Sequence, residues 1–216
     1  MSKISEAELS QLIARGEGQN LDFKHSITST HKIARAMCAF ANAGGGVLLI
    51  GIKDNGKPAK INASEEAYMV EAAAAKCRPS VEYSIEELSL DDRVVLHVQV
   101  LAGNERPYMA LDEEGKWWAF IRVNDSNVLA NWIWLQVVKL KSKHLNTKIA
   151  FGELEEALLK TIEEHPGLSQ NQLAKRLKLS RNRLGKLLVS MVSMGVVEMK
   201  LSKDGAFFYS QSINKG

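Results

Sequence analysis

The stretch SQNQLAKRLKLSRNRLGKLLVSMV, residues 169–192, decides the fold of the C-terminal third of this 216-residue chain. Ser169 stands where an N-cap residue begins a helix, and the apolar positions after it recur at helical spacing. The dipeptide Leu179-Ser180 makes a short turn into a second helix, which Gly195 ends. Two helices joined by a turn of three or four residues predict a helix-turn-helix.

The sequence on both sides of this pair predicts a winged helix. An apolar pattern after Gly152 predicts a first helix, which stops at His165-Pro166-Gly167 because proline and glycine break helices. After Gly195 the apolar period becomes that of strands, and the turn SKDG at 202–205 joins two strands into a hairpin, the wing.

Positive charge is concentrated in this region. Residues 1–150 carry 18 basic and 18 acidic side chains, whereas residues 151–216 carry 10 and 7. The window 169–203 alone holds eight basic residues against one acid, Glu198. A solvated helix surface usually interleaves both signs, as residues 153–164 do, so the basic window is expected to face phosphate.

The polar residues of the second helix and of the wing are the expected contacts to double-stranded DNA. In a major groove arginine can pair with guanine and asparagine with adenine, whereas lysines on the wing would meet phosphate. Helix-turn-helix readers usually bind paired half-sites, so a homodimer is expected. The alternative is a module that contacts only proteins. The predicted DNA-binding residues are Ser180, Arg181, Asn182, Arg183, Lys186, Lys200 and Lys203.

The first two thirds of the chain predict an α+β domain with a mixed sheet. The expected boundaries are residues 1–145 for this domain, 146–152 for a linker and 153–216 for the winged helix. The pattern predicts helices at 5–14, 30–42, 65–77 and 127–143, strands at 20–24, 47–52, 81–87 and 93–101, and a hairpin at 108–123.

Three glycines, Gly44 to Gly46, precede the apolar strand in a sequence that could suggest a nucleotide site. A phosphate loop runs from a strand through glycines into a helix N-terminus, and here a helix runs through glycines into a strand. Close backbone packing is therefore the predicted role of these glycines, and no cofactor is expected for DNA binding.

Four tryptophans, Trp117, Trp118, Trp132 and Trp134, stand in two close pairs. They could stack on bases, pack between the last hairpin and the following helix, or form a dimer surface. One member of each pair is expected to be exposed, because neighbours on a strand point to opposite faces.

The composition, with 45% hydrophobic and 25% charged residues and only short apolar runs, predicts a globular cytoplasmic protein without a membrane partner.

Three segments together resemble the AlbA-like DNA-binding domain of Schlafen-type proteins. They are EGQNLDFK at 17–24, AFANAGGGVLLIGIKDNG at 39–56 and IRVNDSN at 121–127. Bacterial members commonly carry a C-terminal helix-turn-helix and are described as transcriptional regulators, although the family has also been labelled a divergent ATPase. The resemblance implies a nucleic-acid-binding fold, with Lys24 and Arg122 touching phosphate, in a regulator that acts without catalysis.

The resemblance also implies an alternative, a metal-dependent endoribonuclease. Schlafen proteins that cleave tRNA use three carboxylates and a divalent metal, and the matching positions here are Glu17, Asp22 and Asp54. Such oxygen ligands would hold Mg²⁺ or Mn²⁺, and RNA would be the partner. Asp22 stands where the family has glutamate. The other interpretation is that Asp22 pairs with a neighbouring base, Asp54 caps its turn and Glu17 is solvated.

Overall fold

The computed structural model describes residues 4–142 and 152–211, and the chain divides into two compact units after Leu129. The N-terminal unit ends at Leu129, and the C-terminal unit begins at Ala130. The α+β class predicted from the sequence is confirmed, because β-sheets and helices form the first unit and a winged helix forms the second.

From residue 4 onward, the N-terminal unit contains three helices and eight strands. Their order is α1 (Glu6–Arg15), β1 (Leu21–Lys24), α2 (Thr30–Ala43), β2 (Gly46–Ile50), α3 (Ala63–Ala74), β3 (Cys77–Arg78), β4 (Tyr83–Leu90), β5 (Arg93–Val100), β6 (Met109–Leu111), β7 (Trp117–Val123) and β8 (Ser126–Leu129).

These strands form two four-stranded sheets. The first has the order β1-β2-β5-β4, with β1 and β2 parallel and the other pairs antiparallel, so it is mixed. The second, β3-β6-β7-β8, is antiparallel throughout. Helix α2 buries Ile33, Met37 and Phe40 in a core that it shares with both sheets, and α1 covers the other face of the first sheet through Leu9.

The glycines after α2 do what close packing requires. Gly44 and Gly45 have φ values of 114° and 91°, which favour glycine over other residues. A Cβ on Gly45 would lie 2.9 Å from the carbonyl oxygen of Val100, and one on Gly46 would overlap the ring of Phe40. The helix-glycine-strand order predicted from the sequence is therefore present, and the missing side chains let β2 lie beside β5.

The described residues of the C-terminal unit form four helices and three strands. They are α4 (Trp132–Ser142), α5 (Glu153–Glu164), β9 (Leu168–Ser169), α6 (Gln170–Arg176), α7 (Arg181–Ser193), β10 (Val197–Ser202) and β11 (Gly205–Ser210). Strands β10 and β11 form the predicted wing hairpin, and β9 pairs with β11 as a third strand. Leu158, Leu184 and Phe208 are fully buried and join α5, α7 and the wing in one core.

The observed division of the chain differs from the boundary expected at residue 145. Helix α4 belongs to the C-terminal unit, because its buried residues Ile133 and Val137 lie in the core formed with α5 and α7. The spacing of apolar residues in the sequence indicated that α4 has an apolar face. It did not indicate which helices or strands pack against that face. Apart from Gly152, the expected linker at 146–152 lies outside the described residues.

The predicted helix start at Asn127 is wrong. Residues 126–129 form strand β8, in which Asn127 pairs with Arg122 of β7 after a tight turn at Asn124, whose φ is 54°. The helix begins only at Trp132, where the Asn131 side chain accepts a hydrogen bond of 2.8 Å from the backbone N–H of Trp134.

In the described parts of the chain, no helix is both long and apolar enough to cross a lipid bilayer.

Candidate nucleic-acid interface

Helix α7 presents its first two turns to solvent. Ser180 caps it, since its hydroxyl accepts a 3.3 Å hydrogen bond from the backbone N–H of Arg183. Leu184 and Leu188 are fully buried beneath the helix and fix its orientation in the unit. The side chains that remain exposed are those predicted from the sequence as base contacts, namely Arg181, Asn182, Arg183 and Lys186.

Helix α6 supports the beginning of α7. Its own cap is a reciprocal pair, in which Ser169 and Gln172 each accept a hydrogen bond from the other's backbone N–H. From the first residue of α6, the Gln170 side chain donates a 2.9 Å hydrogen bond to the Arg181 carbonyl oxygen. The Arg181 Nε atom lies 3.5 Å from Gln170 Oε1, so the same glutamine helps to orient the arginine.

The wing carries its two lysines on exposed positions. Lys200 lies on β10 with its Nζ atom 4.9 Å from the centre of the Tyr209 ring and 3.7 Å from a carboxylate oxygen of Glu198. Lys203 is exposed in the turn between β10 and β11, which Gly205 completes with a φ of 132°. Both lysines therefore lie on the surface of the wing hairpin.

The two units differ more in net charge than residues 1–150 and 151–216 do. The N-terminal unit contains 14 basic and 18 acidic residues, a net charge of −4, whereas the C-terminal unit contains 14 basic and 7 acidic residues, a net charge of +7. Attraction to a polyanion follows the sign of the local charge. The C-terminal unit therefore has the charge that DNA attracts, and the N-terminal unit does not.

Arg122 does not lie at a surface, which corrects the expectation that it touches phosphate. Only 2% of the residue is exposed. Its guanidinium donates to the carbonyl oxygens of Gly18 and Leu21 at 3.0 and 3.1 Å, and also to the side chains of Asn127 and Asp22, both at 3.2 Å. These contacts hold β7 to the chain around β1, so the role of Arg122 is structural.

Lys24 keeps partial access to solvent, because one third of its side chain is exposed. Its Nζ atom lies 2.7 Å from Asp22 Oδ2 and donates a 2.8 Å hydrogen bond to the carbonyl oxygen of Phe23. Asp22, which is 4% exposed, thus faces a cation at each carboxylate oxygen, Lys24 at Oδ2 and Arg122 at Oδ1. This is the pairing with neighbouring bases that the sequence left open.

Glu17 and Asp54 line one open cleft of about 640 Å³ in the N-terminal unit, together with Phe23 and Lys57. A Glu17 carboxylate oxygen accepts a 2.6 Å hydrogen bond from the backbone N–H of Phe23. Burial raises the pKa of Glu17 above its ordinary value, and the hydrogen bond to Asp22 and the charge of Asp22 raise it further. Asp54 lies exposed in the turn after Ile52.

These carboxylates do not fit a divalent metal. Among residues 4–142 and 152–211, no group of three Asp, Glu, His or Cys side chains lies close enough together to hold one ion. Asp22 faces Lys24 and Arg122 instead, and two cations beside a carboxylate oppose the approach of a third. The arrangement is an ion-pair network of Asp22, Lys24 and Arg122, and Glu17 of the cleft lies beside Asp22.

One of the tryptophans that could stack on bases lies beside this interface, which the sequence did not indicate. Trp132, which is 49% exposed, begins α4 and lies against α7, where a Cβ on Gly185 would be 3.2 Å from its ring. Trp118 is also exposed, at 41%, so one tryptophan of each pair faces solvent as predicted. The glycine within the arginine-rich helix was the available signal, since a glycine in a helix interior often marks a close approach.

Comparisons with known proteins agree with this architecture. The family model described as Schlafen, AlbA_2 matches residues 17–131, and the model described as winged helix-turn-helix DNA-binding matches residues 153–198. No curated protein matches the chain.

Among solved structures, the chain is similar to the DIP2311 protein from Corynebacterium diphtheriae, at 16% identity and a TM-score of 0.43. The match covers 95% of this chain and 38% of that one, so the chain spans well under half the length of that protein. The Schlafen AlbA_2 match takes in more than half of the residues, together with the helix-glycine-strand segment and the Arg122 strand described above. The chain therefore belongs to the Schlafen AlbA_2 family, with a winged helix-turn-helix domain after it.

Proposed function

We propose that this protein is a transcriptional regulator that binds double-stranded DNA through α7 and the wing. The observation that carries the proposal is the placement of Arg181, Asn182, Arg183 and Lys186 on the first two turns of a capped, exposed helix. In helix-turn-helix proteins that part of the second helix enters the major groove. The match to a winged helix-turn-helix DNA-binding model supports the same function.

The two parts of the surface take different tasks in this proposal. Arg181 and Arg183 on α7 read base edges, and Gln170 holds the first of them in position. Lys200 and Lys203 on the wing contact phosphate, which adds affinity without sequence choice. A homodimer places two α7 helices on half-sites about 34 Å apart, one turn of the duplex.

The N-terminal unit acts in this proposal as a regulatory module. Its net charge of −4 and the burial of Arg122 both oppose a direct contact with phosphate. Its cleft beside Glu17 and Asp54 is the feature that a regulatory ligand could use.

Selection from a random duplex library with the full chain, followed by fluorescence anisotropy on the enriched duplex, tests this function. Replacing Arg181 or Arg183 with Ala is expected to weaken the enriched duplex by about 1–3 kcal/mol while affecting a scrambled duplex less. Lys203→Ala is expected to weaken both duplexes alike and to reduce the salt slope by about one unit.

The matched controls are Arg93→Ala in the N-terminal unit and Lys160→Ala on α5, both at exposed positions outside the proposed surface. Equal losses on both duplexes for all three test variants would contradict base reading by α7. Salt-insensitive binding, or no binding, would instead favour the alternative module that contacts only proteins.

A further inference from the structure

Trp132 lies directly against the DNA-reading helix. An ideal Cβ built on Gly185 would be 3.2 Å from Cζ3 of the Trp132 ring and 3.0 Å from Nε2 of Gln170. Gly185 is buried within α7, where glycine is less favourable than alanine. The absence of a side chain at position 185 is what allows the indole ring and Gln170 to approach the helix backbone.

The helix that carries Trp132 is anchored, while the ring itself is only partly covered. Ile133 and Val137, further along α4, are buried in the core with Leu184 and Leu188 of α7. Trp132 is nevertheless 49% exposed. The structure therefore holds a large, half-exposed aromatic ring at a fixed position beside α7.

The surroundings of the ring are those of the proposed DNA surface. Gln170, which meets the same Gly185 position, also hydrogen-bonds to the Arg181 carbonyl oxygen. Arg181 lies four residues before Gly185 in α7 and Lys186 lies directly after it, and both are exposed. A polyanion drawn to these cations comes within reach of the indole ring, which can cover a sugar or a thymine methyl and donate its N–H to a phosphate oxygen.

We propose that Trp132 is a DNA-contacting residue and that α4 is part of the DNA-binding unit. This inference rests on the proposed function of α7 and the wing. It extends the reading surface to residue 132, beyond the segment 153–198 that the winged-helix model matches. The contact is largely uncharged, in contrast to those of the arginines and lysines.

Fluorescence anisotropy of the full chain with a labelled 30-base-pair duplex of mixed sequence, over a series of salt concentrations, tests the contact. Trp132→Ala is expected to weaken binding about five- to tenfold and to leave the slope of log affinity against log salt unchanged. Lys186→Ala, in contrast, is expected to reduce that slope. Trp118→Ala is the matched control, since Trp118 is similarly exposed but lies in the N-terminal unit.

A second measurement does not depend on an alanine variant that folds. Replacing Trp117, Trp118 and Trp134 with Phe leaves Trp132 as the one tryptophan of the chain. Its fluorescence is expected to be quenched and its emission shifted as the duplex is added, because DNA covers the exposed ring. An unchanged spectrum at saturating duplex would overturn the proposal.

The remaining outcomes separate this inference from the proposed function. If the parent chain binds no duplex, the proposed function fails and the Trp132 contact fails with it. If the parent binds and Trp132→Ala binds equally well, only the Trp132 contact fails. A Trp132→Ala chain that sediments at a lower mass than the parent without DNA would assign the ring to a contact between copies and overturn the proposal.

Discussion

Arg122 Nη2 lies 3.2 Å from Asp22 Oδ1, and this ion pair is buried between residues 100 positions apart in the chain. The guanidinium also donates to two backbone carbonyls and to Asn127, and it lies 5.1 Å from the centre of the Phe40 ring. Arg122 thus connects β7, β8 and the segment around β1. The two residues explain each other's burial, because each neutralises the other's charge.

The first prediction is that Arg122→Met destabilises the protein by about 3–5 kcal/mol, since it leaves a buried carboxylate with only Lys24 beside it. Arg122→Lys is also expected to be destabilising, because an ammonium cannot replace the fork of guanidinium donors. Urea unfolding measures both, with Arg93→Ala as an exposed control. A double variant, Arg122→Met with Asp22→Leu, should recover part of the loss, and simple addition of the two losses would contradict the pairing.

A second prediction concerns Asn42, which lies in the AFAN segment and is 3% exposed. Its amide Nδ2 donates 2.8 Å hydrogen bonds to the carbonyl oxygens of Tyr108 and Phe120, and its Oδ1 accepts a 2.9 Å hydrogen bond from the Tyr108 N–H. Asn42→Ala leaves these backbone groups unsatisfied in the core and is expected to cost about 3 kcal/mol of unfolding free energy.

Asn42→Asp tests which of these hydrogen bonds matters. A carboxylate can accept from the Tyr108 N–H but cannot donate to the two carbonyls, so this variant is expected to be about as destabilised as Asn42→Ala. Thermal unfolding followed by circular dichroism gives the ranking, and Asn104→Ala at an exposed position is the control. A stable Asn42→Asp protein would show that the two donated hydrogen bonds contribute little.

The features that depend on interactions between residues close in the sequence were predicted from the sequence. The cap at Ser169, the two helices after it and the wing hairpin all follow from side chains within a few residues of each other. The order of α2, glycines and β2 followed in the same way, because the apolar period changes across the glycines. These features needed no information on what packs against them.

Contacts between distant segments could not be predicted in this way. Nothing near Arg122 in the sequence indicates that its partner is Asp22. Because the chain resembles a nucleic-acid-binding family, Arg122 was expected to contact phosphate. Helix α4 showed an apolar face, but only the core with Leu184 and Leu188 assigns that face to the C-terminal unit. The strand at 126–129 depends on pairing with β7, which a short run of Asn, Val and Leu does not reveal.

The third prediction is a dependence of stability on pH at Glu17. Burial, with Asp22 close by, raises the folded-state pKa of Glu17 above its ordinary value of 4.5. Below its unfolded-state pKa, Glu17 is protonated in both the folded and the unfolded protein and does not destabilise the fold. As the pH rises through the folded-state pKa, the ionised Glu17 increasingly destabilises the folded protein. Glu17→Gln keeps the acceptor for the Phe23 N–H and removes the charge.

The Glu17→Gln protein is therefore expected to be more stable than the parent at pH 7, by a margin that shrinks as the pH falls toward 4.5. Melting temperatures of both proteins between pH 4 and pH 7.5 measure the margin. Asp112→Asn, at an exposed turn where backbone and Trp118 hydrogen bonds lower the pKa of the carboxyl, is expected to show the opposite sign. A margin for Glu17→Gln that is constant over this range would contradict the raised pKa.

The fourth prediction concerns the metal-dependent ribonuclease that the family resemblance implied. Glu17 and Asp54 line the same cleft, as a shared metal site would require. The third carboxylate, Asp22, instead faces Lys24 and Arg122. Because that carboxylate is already neutralised, we expect the parent chain with Mn²⁺ to cleave tRNA no faster than a Glu17→Ala/Asp54→Ala variant. We also expect calorimetry to show no saturable Mn²⁺ binding. Cleavage that requires Mn²⁺ and is lost in the double variant would show that Asp22 can exchange its basic partners for a metal ion, and the cleft would then be a catalytic site.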